Sequence, residues 1–370
     1  MSPIKKKLVN SYKYIVRYLF KMFYGSINLV LDPEMNEDIE VKKISLDNNE
    51  YKIFYCKKSR LYTDTIHDTA IIKDNKILNG PSFQYRKFNN NTNLFNDDCK
   101  KNSVISIGTP RFKKNFKGSV LSLLTGGGGN FNYWHWLFDV LPRLHILKNS
   151  NIKSYDKILF PNLEKQFQQE TLDLLEIEQK KRLSSRKIRH ISADQIIATS
   201  HPYNLLNNPL KDSLNIPKWI YDYLKEKFLQ KSLLKSNIKK FPKKIFINRK
   251  DGTSSMRFII NSDDVEDFLV KNGFSSLTLS KIKFIDQVAL FFNAEQIIGL
   301  HGAGFANIIF CKPLTKIVEI KPSNAGDAIK NLAINNKLTY NDISCVPKAT
   351  NNNSQNGDIE VNLETLRNSI

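Results

Sequence analysis

QIIGLHGAGFANIIF, residues 296–310, runs from five mostly apolar residues into His301-Gly302-Ala303-Gly304 and then into a second apolar stretch. QIIGL reads as a buried strand and GFANIIF as the opening of a helix. Small residues at such a turn let backbone N–H groups come close to an anion, and the helix adds the positive end of its dipole. A diphosphate fits that position. His301 can donate a hydrogen bond to a phosphate or a sugar hydroxyl, and Asn307 lies near the start of the helix, within reach of the same ligand. The competing reading is that the glycines only permit close helix–sheet packing.

The flanking sequence repeats the alternation. KKIFINR (243–249), SSLTLS (275–280) and KIVEI (316–320) read as strands. SDDVEDFLVKNG (262–273) and IDQVALFFNA (285–294) read as helices, the first capped by Ser262 and stopped by Gly273. This is a doubly wound α/β pattern, whose ligand crevice lies at the carboxyl ends of the strands. Arg249 ends one strand, and Arg257 follows across the polar loop KDGTSSM. Guanidinium forks match phosphate oxygens in two-point contacts. Glu319 lies inside KIVEI, where a carboxylate near a strand end can accept from both ribose hydroxyls or can be a partly exposed edge carboxylate.

Upstream, SVLSLLT (119–125) reads as a buried strand, GGGGN (126–130) as a break that can fold over a ligand, and FNYWHWLFDVLPRLHILKNS (131–150) as a long helix with Asn130 as its cap. Pro142 predicts a kink or an end in that helix. His135, Asp139 and Arg143 stand at i, i+4 and i+8, a polar stripe on an otherwise apolar helix. Either they form an acid–base group at the mouth of a cleft, or they are an internal network that fixes the helix. Further strands are expected at DKILFP (156–161), KIRHIS (187–192) and QIIAT (195–199). Helices are expected at 164–177 and at 216–234, with Pro217 in the first turn of the latter. The implied sheet is parallel. Residues 40–118 carry short apolar runs, YKIFYC (51–56) and AIIKD (70–74), in a region expected to be irregular. Residues 88–102 read as a surface loop, and the last ten residues as a terminal helix.

The 370 residues suit two domains. The expected division is a basic amphipathic segment at 1–39, a first α/β domain at 40–215 and a nucleotide-binding Rossmann-like domain at 216–370. A net charge of +20 favours anionic partners. Lys, Asn and Ile are abundant together, so part of the Lys excess reflects composition. No zinc-finger spacing and no basic stripe interleaved with stacking aromatics is present, so a nucleic-acid partner is not expected. Cys56, Cys99, Cys311 and Cys345 are too scattered for a metal or redox motif, which points to a reducing compartment and the cytoplasm. Residues 1–31 combine Lys13, Arg17 and Lys21 with apolar and aromatic residues. The charges interrupt any spanning stretch, and no signal-peptide pattern is seen. The segment suits a helix on the inner face of an anionic membrane, or else one packed on the first domain. No metal site is expected: His135 and Asp139 lack a third ligand, and neither Asp-x-Asp nor a Walker loop occurs.

NYWHWLFDVLPRL (132–144), INRKDGTSSMRFIIN (247–261) and HGAGFANIIF (301–310) followed by IVEI (317–320) together resemble glycosyltransferase family 61, in the family's order. The resemblance spans roughly residues 119–321. It implies a GT-B-like fold, two Rossmann-like domains facing across a cleft. It also implies an inverting, metal-independent transferase without a cofactor, moving a sugar from a nucleotide-sugar donor to a glycan or other hydroxyl acceptor. A UDP-sugar is the expected donor, a glycan or lipid-linked glycan the expected acceptor, and capsular or other cell-surface polysaccharide synthesis the expected setting. Arg249 and Arg257 match the family's paired arginines. His301, Gly302, Ala303 and Gly304 match its HGAG block, with Asn307 and Glu319 on the same donor side. His135 and Asp139 match the N-terminal motif and are the two candidates for the catalytic base, with Asn132 and Arg143 in supporting roles. The chain departs from the pattern at Asp264, where Glu is expected, and at Phe305-Ala306, in place of Leu-Thr. A non-catalytic nucleotide-sugar or glycan-binding module is the alternative. An epimerase or dehydrogenase would need a Gly-x-Gly-x-x-Gly and a Tyr-x-x-x-Lys, and neither occurs in the expected context.

Overall fold

The computed structural model describes residues 3–63, 69–82, 84–88, 92–96, 99–106, 108–125, 130–150, 154–203, 214–251, 257–348 and 357–370. The glycine run 126–129 and most of the loops 201–215 and 250–256 lie outside them. The chain forms two compact units. The first comprises residues 1–87, 93–165 and 177–209, and the second residues 88–92, 166–176 and 210–370.

The first unit begins with helix α1 (Pro3–Tyr24) and continues through strands β1 (Leu29–Leu31), β2 (Ile39–Leu46), β3 (Asn49–Tyr62), β4 (Ala70–Lys73) and β5 (Lys76–Leu78). Strands β6 (Gln84–Phe88) and β7 (Thr92–Asn96) make a separate two-stranded ribbon. Helix α2 (Ser103–Ser106) and strand β8 (Lys113–Ser122) follow. Helices α3 (Tyr133–His135) and α4 (Arg143–Lys148) then flank a π-helical turn, and β9 (Lys157–Phe160) ends this stretch. After helix α5 (Gln166–Leu174), which belongs to the second unit, come β10 (Arg182–Ser184) and β11 (His190–Thr199). The sheet order is β1-β5-β4-β3-β11-β8-β9-β10, with β2 also paired to β3. Strands β8 to β11 are parallel to their neighbours within that group, as the alternation predicts.

The described residues among 40–118 are largely in regular strands, contrary to expectation. They supply an antiparallel extension in which β3 pairs with β2, β4 and β11. The 14-residue β3 buries Ile53, Phe54, Tyr55 and Cys56 consecutively, so it lacks the alternation that marks a one-sided strand. KIRHIS and QIIAT are one strand, β11, interrupted by a bulge between Ala193 and Gln195. Across that bulge the Asp194 carboxylate accepts from the N–H of Gly118, 2.7 Å away, where the glycine holds φ +79°.

The second unit contains α6 (Lys218–Lys235), β12 (Lys244–Ile247), α7 (Ser262–Lys271), β13 (Ser275–Leu277), α8 (Phe284–Asn293) and β14 (Gln296–Leu300). After a 3-10 helix at Ala303–Phe310 come β15 (Lys316–Pro322), α9 (Ala328–Asn335), β16 (Thr339–Cys345) and α10 (Leu363–Ser369). The strands pair in the order β13-β12-β14-β15-β16, all parallel. Renumbered within the unit this is 2-1-3-4-5, so the strand order reverses between β12 and β14, and ligands of such sheets bind beyond the carboxyl ends at that reversal. All five residues of β14 are buried, as a central parallel strand with helices on both faces requires. Two elements were not foreseen in the sequence, α9 and β16. The segment 303–310 is 3-10 rather than α-helical.

Candidate active site

In the second unit the strand-order reversal is flanked by Arg249, two residues past β12, and by His301-Gly302-Ala303, directly after β14. Arg249 Nη1 lies 3.4 Å from the carbonyl oxygen of His301. A Cβ on Gly302 would sit 3.7 Å from the same nitrogen, so the glycine lies beside this guanidinium. Arg257 is only 7% exposed, and its Nε and Nη1 are buried without a hydrogen-bond partner. Burial, then the neighbouring charge of Arg249, lowers the Arg257 pKa to about 10, with Glu319 opposing. Among the described residues neither arginine forms an ion pair. Two adjacent, partly desolvated cations, Arg257 among them with unmet donors, offer charge-assisted contacts that an anion can take up.

Glu319 does not lie open to a ribose. It is fully buried on β15; one oxygen binds His301 Nδ1 and the other accepts from Tyr340 Oη at 2.5 Å. Both oxygens are therefore occupied, and the carboxylate orients His301 instead of presenting itself to solvent. Burial, then the Glu319 charge, raises the Tyr340 pKa, so that phenol stays protonated as the donor. Asn307 is likewise turned inward: its Nδ2 donates to Gln287 Oε1 at 2.9 Å, and Gln287 in turn donates to the carbonyls of Leu279 and Ile282. These bonds fix the 303–310 helix on α8. A Cβ on Gly304 would meet Leu279 Cδ1, the end of a flexible side chain, at 2.9 Å, whereas one on Gly302 would make only ordinary contacts.

In the first unit the expected helix at 131–150 is broken. Asn132, not Asn130, is the cap: its side chain accepts from the N–H groups of Trp134 at 2.9 Å and His135 at 3.4 Å. Residues Trp136–Val140 make a π turn, closed by Leu141 N–H to the Trp136 carbonyl at 3.2 Å, just before Pro142. Such turns recur at functional sites because they displace side chains from the α register. His135 Nδ1 lies 2.8 Å from Asp139 Oδ2. Tyr203 Oη donates to Asp139 Oδ1 at 2.6 Å, and His201 Nε2 lies 3.7 Å from Oδ2. His201 and Tyr203 went unnoticed in the sequence. They stand just past β11, whose end neighbours that of β8, and only the tertiary fold brings them to Asp139.

Arg143 is 1% exposed and ties the two strand ends together. Its Nε donates to Thr199 Oγ1 at 2.8 Å, its Nη1 to the Leu124 carbonyl at 2.5 Å, and its Nη2 to the Thr199 carbonyl at 3.1 Å. Burial lowers its pKa to about 9, and Asp139 opposes that shift.

Burial alone would favour neutral His135, but the Asp139 charge and hydrogen bond outweigh it and raise the His135 pKa above 6.5. For Asp139 burial also works against the charge, yet His135 and His201 hold the carboxyl well below the usual range. Stabilisation from the raised His135 is complete below pH 6.5 and fades as pH rises through the folded-state value. Stabilisation from Asp139 is present above its ordinary pKa of 3.8 and fades as pH falls below that. Melting temperature should therefore decline as pH rises above 6.5, and Asp139→Asn should flatten that decline. An unchanged slope in Asp139→Asn would separate the pair from it.

Comparison with known proteins adds a family. The sequence profile described as Glycosyltransferase 61 matches residues 133–318, which includes both clusters except the cap Asn132 before it and Glu319 and Tyr340 after it. No curated protein matches the chain. With half of its length matched, and with the motif residues gathered at the carboxyl ends of two parallel strand groups, the chain belongs to glycosyltransferase family 61.

Proposed function

We propose that this glycosyltransferase moves a sugar from a nucleoside-diphosphate donor to a hydroxyl of a glycan acceptor, by single displacement with inversion. The observation that carries the reading is Arg257: a buried guanidinium with unmet donors beside a second arginine, at the strand-order reversal. A diphosphate supplies the two or more negative charges and the acceptor oxygens such a pair needs. Arg249, Arg257 and the N–H groups after His301 would take up the charge that develops as the diphosphate leaves. Buried Glu319, held in turn by Tyr340, keeps His301 in place for the same ligand.

His135 is the better base of the two candidates. Asp139 is buried and engaged by His135, Tyr203 and His201, and its pKa is far too low for an efficient proton acceptor. The His135 side chain is 25% exposed and its Nδ1 faces Asp139. Asp139 thus orients the ring, and the role proposed for Nε2 is to receive the acceptor proton. In the step, that proton passes to Nε2 and the acceptor oxygen bonds to the anomeric carbon. The bond from that carbon to the diphosphate oxygen breaks, its electron pair leaving on phosphate. On the family pattern the arrangement is GT-B-like, with the donor on the second unit and the acceptor on the first. The proposed setting is cytoplasmic synthesis of a cell-surface polysaccharide, consistent with four cysteines that are all free and buried. A UDP-sugar is the first donor to try.

Since both arginines are cationic, the diphosphate can be neutralised without a metal ion. Turnover should persist in excess chelator; abolition by chelator and restoration by a divalent cation would sink the metal-independent reading. Activity should rise with pH through a value above 6.5, where His135 loses its proton. Thermal-shift screening against nucleotide sugars should single out the donor, because a ligand at about 100 times its Kd adds about 2.7 kcal/mol of stability. A transfer assay with that donor then separates an enzyme from a binding module.

A further inference from the structure

We infer that α1 docks the first unit on an anionic lipid bilayer, lying in the plane of its surface. This goes beyond the glycosyl-transfer reading and does not rest on it. Val16 and Phe20 bury one face of α1 in the first unit, where Phe20 packs edge-on against Tyr62 at 5.2 Å. Tyr24 ties down the end of the helix by donating to the Arg111 carbonyl at 2.6 Å. A neighbouring face has no such use. Ile4, Leu8, Tyr12, Ile15 and Met22 are all exposed, and at helical spacing they fall within an arc of about 80°. Tyr18 and Phe23 extend the stripe on either side, and both are exposed. A stripe this continuous is far more than the scattered apolar residues of an ordinary surface.

Charge says what covers it. The 22 residues of α1 include six basic ones and no acidic one. Lys5, Lys7, Lys13 and Lys21 are exposed on the same helix. A second copy of α1 would bring like charges together along the whole contact, whereas anionic headgroups neutralise them while the acyl boundary takes up the apolar stripe. Tyr12, Tyr14 and Tyr18, apolar in body and polar at the tip, suit the headgroup level. No described helix is long and apolar enough to cross a membrane, so the contact would be peripheral.

The test is sedimentation of the full chain with vesicles of phosphatidylcholine alone or with phosphatidylglycerol added, at low and high salt. Binding should require phosphatidylglycerol and weaken in high salt. Ile15→Asp with Leu8→Asp should reduce it by about tenfold or more, as should Lys13→Glu with Lys21→Glu, each with an unchanged melting temperature. All four residues are exposed, so the fold should tolerate them, and turnover with a soluble acceptor should be unaffected. Failure of the wild-type chain to sediment with phosphatidylglycerol vesicles would overturn the proposal. So would full binding by the Asp variants, or a lipid-free dimer in sedimentation velocity that Ile15→Asp dissociates.

Discussion

Arg257→Ala should lower kcat/KM for the donor by about 10²–10³-fold, the scale of losing one fixed donor to a charge that develops in the transition state. The reason lies in the unliganded protein. Arg257 is buried beside Arg249, two of its nitrogens lack acceptors, and burial together with the neighbouring cation lowers its pKa to about 10. Among the described residues no acceptor meets those two nitrogens, and an anion that supplied one would recover the cost. A second result should follow. Arg257→Met, which keeps the length and removes the charge, should leave the donor-free protein as stable or more stable, by about 1–3 kcal/mol, since an unmet buried donor is removed. Activity lost while stability is held or raised marks a binding residue. Activity and stability lost together would mark a structural one.

His135→Ala should reduce turnover by about 10²–10⁴-fold, the range for a positioned general base, with donor affinity preserved. Asp139→Asn should lose a comparable factor although it keeps the shape of the side chain. An amide cannot stabilise the imidazolium as a carboxylate does, and it can present an N–H to His135 in place of an acceptor. The two losses should not multiply in the double variant, because one acts through the other. The alkaline-rising limb of the pH profile should vanish in His135→Ala. If His135→Ala keeps the limb, the titrating base is another group, and His201 is the next to replace.

The second unit was legible because its strands are short apolar runs bounded by helices of clear period. QIIGL, KIFI and KIVEI are found within two residues of their expected limits. The arginines and the HGAG turn follow strand ends, so their grouping could be read from the chain alone. What escaped notice depends on neighbours. Glu319 reads as a ribose ligand because it lies near a strand end, and sequence does not say that His301 and Tyr340 take up its oxygens. Asn307 lies near enough in sequence to reach the same ligand, but its side chain is bonded to Gln287 instead. Pro142 announced a break in the helix at 131–150, but the π turn before it follows no periodicity. His201 and Tyr203 stand more than sixty residues from Asp139, and the adjacency of β8 and β11 is what joins them.

The most direct test compares donor binding by calorimetry in wild type, His135→Ala and Arg257→Ala, using the sugar nucleotide picked out by thermal shift. The donor should bind His135→Ala about as tightly as wild type, although that variant barely turns over. It should bind Arg257→Ala at least about 100-fold more weakly, the loss of a charge-assisted phosphate contact in a partly buried site. Equal donor affinity in wild type and Arg257→Ala, or an equal loss in His135→Ala, would contradict the assignment of donor binding to the second unit and of the base to the first.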